Sequence, residues 1–361
     1  MMSKRRLMQW VAGLSLLPPA WARREEAAAG WRLPDEAAPH ARTWMAFGAS
    51  EAIWGRRLLP GARASLARLA GAIVRHEPVT LLVRPKEMAL ARSMVDARVT
   101  LLACPLDDLW IRDTGPVFIR SAQGDKAAVD LNFNGWGRKQ AHGRDAEVAA
   151  FVARQAGVRR LVAPLVLEGG GVEVDGEGTA ILTESCTLNT NRNPGVSKAE
   201  FEDRLMPLLG LRKIIWLPGI RGQDITDGHV DFYARFAAPG VVLAAQDDDP
   251  RSFDHEVTQR HLELLRSATD AQGRKLKVLP LRAPETLRQR RPGKDFAAGY
   301  IGYYVCNGAV VMQSFGDAAA DAAARRTLQA AYPGRTVEAI DFDGVAVGGG
   351  TIHCATQQEP A

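Results

Sequence analysis

The chain has 361 residues, 46% of them hydrophobic and 24% charged, with a formal charge of +5. These are the proportions of a globular protein able to bury a sizeable core, and they exclude a low-complexity or disordered chain. Lys4, Arg5 and Arg6 supply three of the positive charges, so a charge of +2 remains beyond residue 22, with no basic stripe to support nucleic-acid binding.

The first segment reads as an export leader. Lys4-Arg5-Arg6 precede an apolar run over 7–17, then Pro18-Pro19-Ala20-Trp21-Ala22 place small residues three and one before a cut after Ala22. The paired arginines fit the twin-arginine route to the periplasm. The competing reading keeps residues 1–22 as an amphipathic helix of a cytoplasmic protein. No stretch reaches the roughly 20 apolar residues of a membrane span. Residues 31–361 contain no linker and read as a single catalytic domain.

Helical and β-rich patterns then alternate. A helix is expected over 57–76, followed by strands over 79–83, 99–105 and 128–133. Next come a helix over 145–157, a strand over 179–183 and a helix over 197–209, whose Ser197 and Glu200 have capping-box spacing. Strands over 213–217 and 241–245 precede a helix over 254–269 bearing Leu262, Leu264 and Leu265. Strands over 277–281 and 301–312, a helix over 318–332 and a strand over 337–342 complete the series. The alternation is that of an α/β protein. Polar, glycine-rich clusters end the strands at roughly 60-residue intervals: 110–116, 168–176, 227–231 and, after a longer gap, 348–354. Repeated units presenting loops to one centre give that spacing. No Gly-x-Gly-x-x-Gly turn joins strand to helix, which argues against a dinucleotide site.

The clusters hold the candidate chemistry. In Asp107-Asp108-Leu109-Trp110-Ile111-Arg112-Asp113-Thr114-Gly115-Pro116, a carboxylate beside an aromatic face suits a planar cation. An Arg112–Asp113 pair ending a strand is the plainer alternative. Glu168-Gly169-Gly170-Gly171 lacks the Lys-Ser or Lys-Thr of a phosphate loop, so Glu168 would orient an imidazole or bind substrate, while Glu173 and Asp175 serve the turn. The asparagine-rich runs 132–137 and 189–194 read as loop-shaping, with Asn134 and Arg192 as supports. His229 and Asp231, two apart, would share one face of a strand and pair a proton carrier with an acceptor. Cys104, Cys186, Cys306 and Cys354 are scattered without a CxxC pair, and no metal-ligand cluster is apparent. Cys104 and Cys306, in apolar runs, read as buried free thiols. Cys354 ends Gly348-Gly349-Gly350-Thr351-Ile352-His353, where close backbone approach marks it as a nucleophile rather than a packing residue. Carboxylates around a thiol imply a cationic electrophile, and a guanidinium fits.

These segments resemble the agmatine deiminase family and the related bacterial peptidyl-arginine deiminases. The resemblance begins at Pro39-His40-Ala41-Arg42-Thr43-Trp44-Met45-Ala46 and runs in order through 110–116, 134–137, 168–171, 188–194 and 228–231 to 348–360. It implies a five-bladed α/β propeller of ββαβ-like units (the pentein type) around a central active site. It also implies Cys354 as nucleophile, His229 as general acid/base, Asp113 and Asp231 as the guanidinium grip, Glu168 as an active-site glutamate and Trp110 as a site wall. No metal or organic cofactor is expected.

The reaction implied is hydrolysis of agmatine to N-carbamoylputrescine and ammonia through a thiouronium on Cys354. The alternative is an exported enzyme converting peptidyl arginine to citrulline. More remote readings are a Cys-His amidase or an inactive binding propeller. Three departures bear on specificity: Ile225 stands where agmatine-using relatives carry an acidic residue, with Asp224 or Asp227 as substitutes; Thr351 replaces an asparagine; and Gly302 replaces a polar residue.

Overall fold

The computed structural model describes residues 30–288 and 293–361, so the leader over 1–22 lies outside the described residues. Sixteen described strands form five sheets. The first holds β1 (His40–Phe47), β2 (Val79–Val83) and β3 (Thr100–Ala103). The next three are β4 (Val117–Arg120), β5 (Lys126–Asp130) and β6 (Arg159–Val162); β7 (Glu173–Val174), β8 (Thr179–Thr183) and β9 (Lys213–Leu217); and β10 (Ala234–Ala238), β11 (Val241–Gln246) and β12 (Lys277–Arg282). The fifth is β13 (Tyr304–Val305), β14 (Ala309–Gln313) and β15 (Thr336–Ile340), while β16 (Gln357–Pro360) returns to the first sheet.

One pattern recurs. The strands β5, β8, β11 and β14 each pair antiparallel with the strand before and parallel with the strand after. A parallel partner needs a crossover, and a helix supplies it each time: Val148–Ala156, Lys198–Leu209, His255–Ser267 and Ala318–Ala331. β1 follows the same rule, with β16 as its antiparallel partner and helix Glu51–Ile73 leading to β2. The chain's last strand thus completes the unit its first strand begins, giving an α/β fold of propeller type.

The sequence pattern explains the layering. The middle strands β2, β8 and β14 are buried throughout, hence their mostly Val, Leu, Ile and Ala content, with Thr80, Thr179, Thr183 and Gln313 the polar exceptions. Helix His255–Ser267 turns Val257, Leu262 and Leu265 inward, leaving Leu264 half-buried. Ser197 and Glu200 form the expected reciprocal capping box.

Some elements differ from expectation. Helix Glu51–Ile73 starts six residues early because it accommodates a break at Gly55 (φ 63°) and a proline at Pro60. The expected strand over 301–312 is a hairpin, β13–β14, closed between Cys306 and Ala309 around Asn307-Gly308. Ahead of it, Tyr300–Gly302 is a single helical turn.

That turn completes a set. Ile111–Thr114, Gly169–Gly171, Val230–Phe232, Tyr300–Gly302 and His353–Ala355 are one-turn helices lying shortly before β4, β7, β10, β13 and β16. The first four-residue turn contacts those at Gly169–Gly171 and His353–Ala355, and Val230–Phe232 contacts both Gly169–Gly171 and Tyr300–Gly302. Five repeats therefore deliver five short turns to one place, four of them polar or glycine-rich. The longer gap in the sequence spacing hides the fourth.

Candidate active site

Cys354 sits on the last turn, 5% exposed. Its Sγ lies 3.4 Å from Thr351 Oγ1 and 3.8 Å from Asp231 Oδ2. Asp113, on the first turn, accepts from Trp136 Nε1 at 2.9 Å through Oδ2 and from the Gly170 backbone at 3.1 Å through Oδ1. His229 presents Nδ1 to Asp113 Oδ1 at 3.8 Å and Nε2 to Glu168 Oε2 at 3.2 Å. Asp231 uses Oδ2 to meet His353 Nδ1 at 2.7 Å, whereas its buried Oδ1 has no hydrogen-bond partner among the described residues.

A cavity of about 210 Å³ reaches Asp113 and Cys354 of this group and is walled further by Trp54, Trp110 and Trp136. The glycine run shapes it as expected. A side chain at Gly348 would overlap the Trp54 ring, and one at Gly350 would overlap Trp110. Asp108 ties both indoles in place, accepting from Trp54 Nε1 at 2.7 Å and Trp110 Nε1 at 3.0 Å. A larger cavity of about 480 Å³ adjoins it, sharing Ile225, Phe232, Val347, Gly348 and Gly349 as walls.

The electrostatics are those of an anionic pocket around a neutral thiol. Burial, then the facing charges of Asp231 and Asp113, push Cys354 well above its usual range. Burial also lifts Asp113, although the charge of His229 opposes that. For His229 burial disfavours the charged ring, but Asp113, Cys186 and Glu168 outweigh it and hold the imidazolium to well above the normal range. Asp231 is held below the usual carboxylate range: burial works against its charge, and the bond and charge of His353 prevail.

Asp113, His229, Asp231 and Cys354 thus converge as the sequence suggested, and Trp110 lines the cavity. Other expectations need correction. Val230–Phe232 is a helical turn, so His229 and Asp231 converge through a bend rather than on one strand face. Glu168 does not line the cavity. It is fully buried, with both oxygens 2.9 Å from Arg192 Nε and Oε2 3.2 Å from His229 Nε2, which suits it to orienting the ring. Glu173 does not serve the turn; it pairs with Arg235 at 2.9 Å and accepts from the Phe236 backbone. Asp227 is taken by Arg192, Lys139 and Asn191, which leaves Asp224, on the wall of the larger cavity, as the available acid near Ile225. Arg112 does not pair with Asp113 but reaches Glu36, Gln358 and the His353 carbonyl. Asn134 and Arg192 act as supports: Asn134 caps the Gly135–Arg138 turn that carries Trp136 and bonds the Asn191 carbonyl.

Gly302 and Thr351 explain each other. A Cβ at Gly302 would overlap three atoms of Thr351, so the threonine fills the space left by the missing side chain.

Among the described residues one donor trio is close enough to share a metal, namely Glu168, Cys186 and His229, within 4.8 Å of one another. This corrects the expectation of no such cluster. The trio is a poor fit for an ion, because the Arg192 guanidinium occupies both Glu168 oxygens.

A buried thiol faced by two carboxylates and an imidazolium, on this fold, equips a hydrolase for C–N bonds of amidines. The chain belongs to the Porphyromonas-type peptidyl-arginine deiminase family, whose sequence model matches residues 32–360. A Streptomyces coelicolor relative is 44% identical over 337 residues, covering 91% of this chain and 99% of its own. The agmatine deiminase of Pseudomonas aeruginosa is 38% identical over 355 residues, covering 92% and 96%. The solved agmatine deiminase of Enterococcus faecalis superposes with a TM-score of 0.86 at 30% identity, covering 92% of this chain and 97% of that one.

Proposed function

We propose that the protein is an agmatine deiminase, converting agmatine and water to N-carbamoylputrescine and ammonia. The observation that carries this reading is the pair of carboxylates facing the Cys354 thiol, with Asp231 Oδ1 unpartnered in a buried site. An uncompensated buried carboxylate oxygen is costly, and a planar cation removes that cost. The likeness to agmatine deiminases at 30–38% identity over nearly the whole chain supports the choice of substrate.

The steps follow from the electrostatics. The guanidinium settles between Asp113 and Asp231, which fixes its carbon near Sγ. A positive charge arriving opposite the two carboxylates removes the reason for Cys354 to keep its proton, so cation entry releases the thiol proton to water, His229 being already protonated. The thiolate attacks the central carbon, and His229 gives its proton to the departing nitrogen, which leaves as ammonia. Water, losing a proton to His229, attacks the thiouronium. Collapse expels the thiolate from the hydroxyl-bearing adduct, and the hydroxyl proton, lost as the neutral ureido product leaves, balances the one Cys354 gave up, so the resting thiol is restored.

The test is ammonia and ureido formation from agmatine, free arginine and an arginine-containing peptide, with wild type beside Cys354→Ser. Turnover of agmatine that vanishes in Cys354→Ser is expected. Silence on all three substrates would sink the reading.

Peptidyl arginine is the second reading, favoured by the 480 Å³ cavity that continues from the catalytic one. Ile225, on the shared wall, separates the two. If the ammonium end of agmatine lies against it, Ile225→Glu places a counter-charge there and lowers the agmatine KM by about tenfold. An unchanged KM would move the ammonium elsewhere and strengthen the peptide reading.

A further inference from the structure

The two oxygens of Asp231 are unequal, and the cause lies in a residue the mechanism above does not use. His353, beside the nucleophile, holds Oδ2 at 2.7 Å through Nδ1 and passes its other nitrogen to Glu36 Oε2 at 2.9 Å. Glu36 is itself fixed on both sides. Its Oε2 takes Arg112 at 3.0 Å, and its Oε1 takes the Val305 backbone and Arg235, each at 2.8 Å. Arg235 in turn pairs with Glu173 at 2.9 Å, whose second oxygen accepts from the Phe236 backbone. Every member is buried.

Buried charges persist only when paired; in this network Arg235 Nη2 lacks a hydrogen bond but still meets Glu36 at 2.8 Å, and one carboxylate oxygen has no partner of either kind. That oxygen is Asp231 Oδ1. An aspartate can rotate about its last side-chain bond and offer either edge. A short bond from a ring that is anchored at its far end removes that freedom. We propose that His353 is a positioning residue for substrate recognition, fixing Asp231 Oδ2 so that Oδ1 is the edge left for the guanidinium.

The inference rests on the reading of Asp231 as a guanidinium clamp, and a matched pair of thiol reagents separates the two. Chloroacetamidine is a planar cation, whereas chloroacetamide has nearly the same shape and no charge. The ratio of their rates at Cys354 measures the clamp without reference to which guanidine is the substrate. Wild type should prefer the cationic reagent. His353→Leu should lower that preference by about tenfold or more, the worth of a charge-assisted bond. His353→Asn, whose amide can still donate to Asp231, should restore most of it. Asp231→Asn should lose the preference, and adding His353→Leu to it should cost nothing further, since both act through one interaction.

A folding defect would slow both reagents alike and leave the ratio intact, so the ratio reads positioning rather than fold. A His353→Leu ratio within about twofold of wild type, or losses that add in the double variant, would overturn the inference. No cationic preference in wild type would instead overturn the clamp.

Discussion

Asp113→Asn is expected to abolish deimination while making Cys354 more reactive toward a neutral reagent. The two effects have one source. Asp113 is a wall of the catalytic cavity, held by Trp136 and the Gly170 backbone with its charge facing the site. Removing that charge takes away half of the guanidinium grip and part of the field that would stabilise the attacked carbon. Losses of this kind run to about 10³-fold in kcat/KM. The same charge is one of the two that, after burial, keep the Cys354 proton in place. Without it the thiol pKa falls, so more thiolate is present at pH 7.5 and alkylation by chloroacetamide quickens, by roughly tenfold for a shift of one unit. The pH profile of alkylation should move to lower pH. Stopped turnover assays and mass-spectrometric alkylation rates check both halves. Alkylation that falls together with turnover would mean that Asp113 promotes the resting thiolate, and the account of substrate-driven ionisation would be wrong.

How much of this site the sequence exposed depends on how far apart its parts lie. Asp113, His229, Asp231 and Cys354 were readable because each sits in a polar, glycine-rich cluster just before a strand, and the clusters recur. The Tyr300–Gly302 turn belongs to the same series but is wrapped in apolar residues, and it merged with the following hairpin into one apparent strand. Strands such as β6 (Arg-Arg-Leu-Val) and β16 (Gln-Gln-Glu-Pro) were missed because they are short and carry no alternating apolar face. β16 pairs with a strand more than 300 residues earlier, and its Glu359 is buried against Trp44 and Lys126, a context no local pattern reveals. Glu36 and His353 are separated by 317 residues, so their bond leaves no trace in spacing. His353 did carry a signal, its place beside the nucleophile. Glu36 carried none. The close approach of Gly302 to Thr351, 49 residues on, is likewise invisible in one dimension.

The second large effect expected is at Gly170, and Gly169 supplies its control. The two glycines share one helical turn, and neither has the left-handed backbone that would itself forbid a side chain, so space alone decides what each tolerates. At Gly169 a methyl group would overlap the Arg112 carbonyl, which is backbone and cannot swing away. Gly169→Ala should therefore act as overpacking and cost about 1–3 kcal/mol of stability. At Gly170 the obstacles are the site itself: a methyl carbon would lie 2.6 Å from His229 Nδ1, 2.9 Å from Asp113 Oδ1 and 3.0 Å from Asp231 Oδ2. Those three polar atoms belong to the groups that grip the guanidinium and carry the proton, and they can yield only by moving apart. A displacement near 1 Å in such groups costs about 10²-fold in rate. Gly170→Ala should thus lose about a hundredfold or more in kcat/KM with a smaller drop in melting temperature than Gly169→Ala shows. Steady-state kinetics beside thermal melts of the two variants make the comparison. If Gly170→Ala keeps more than a tenth of wild-type activity, the three groups do not act at the place where the structure brings them together, and the roles given to His229 and Asp113 would have to be reassigned.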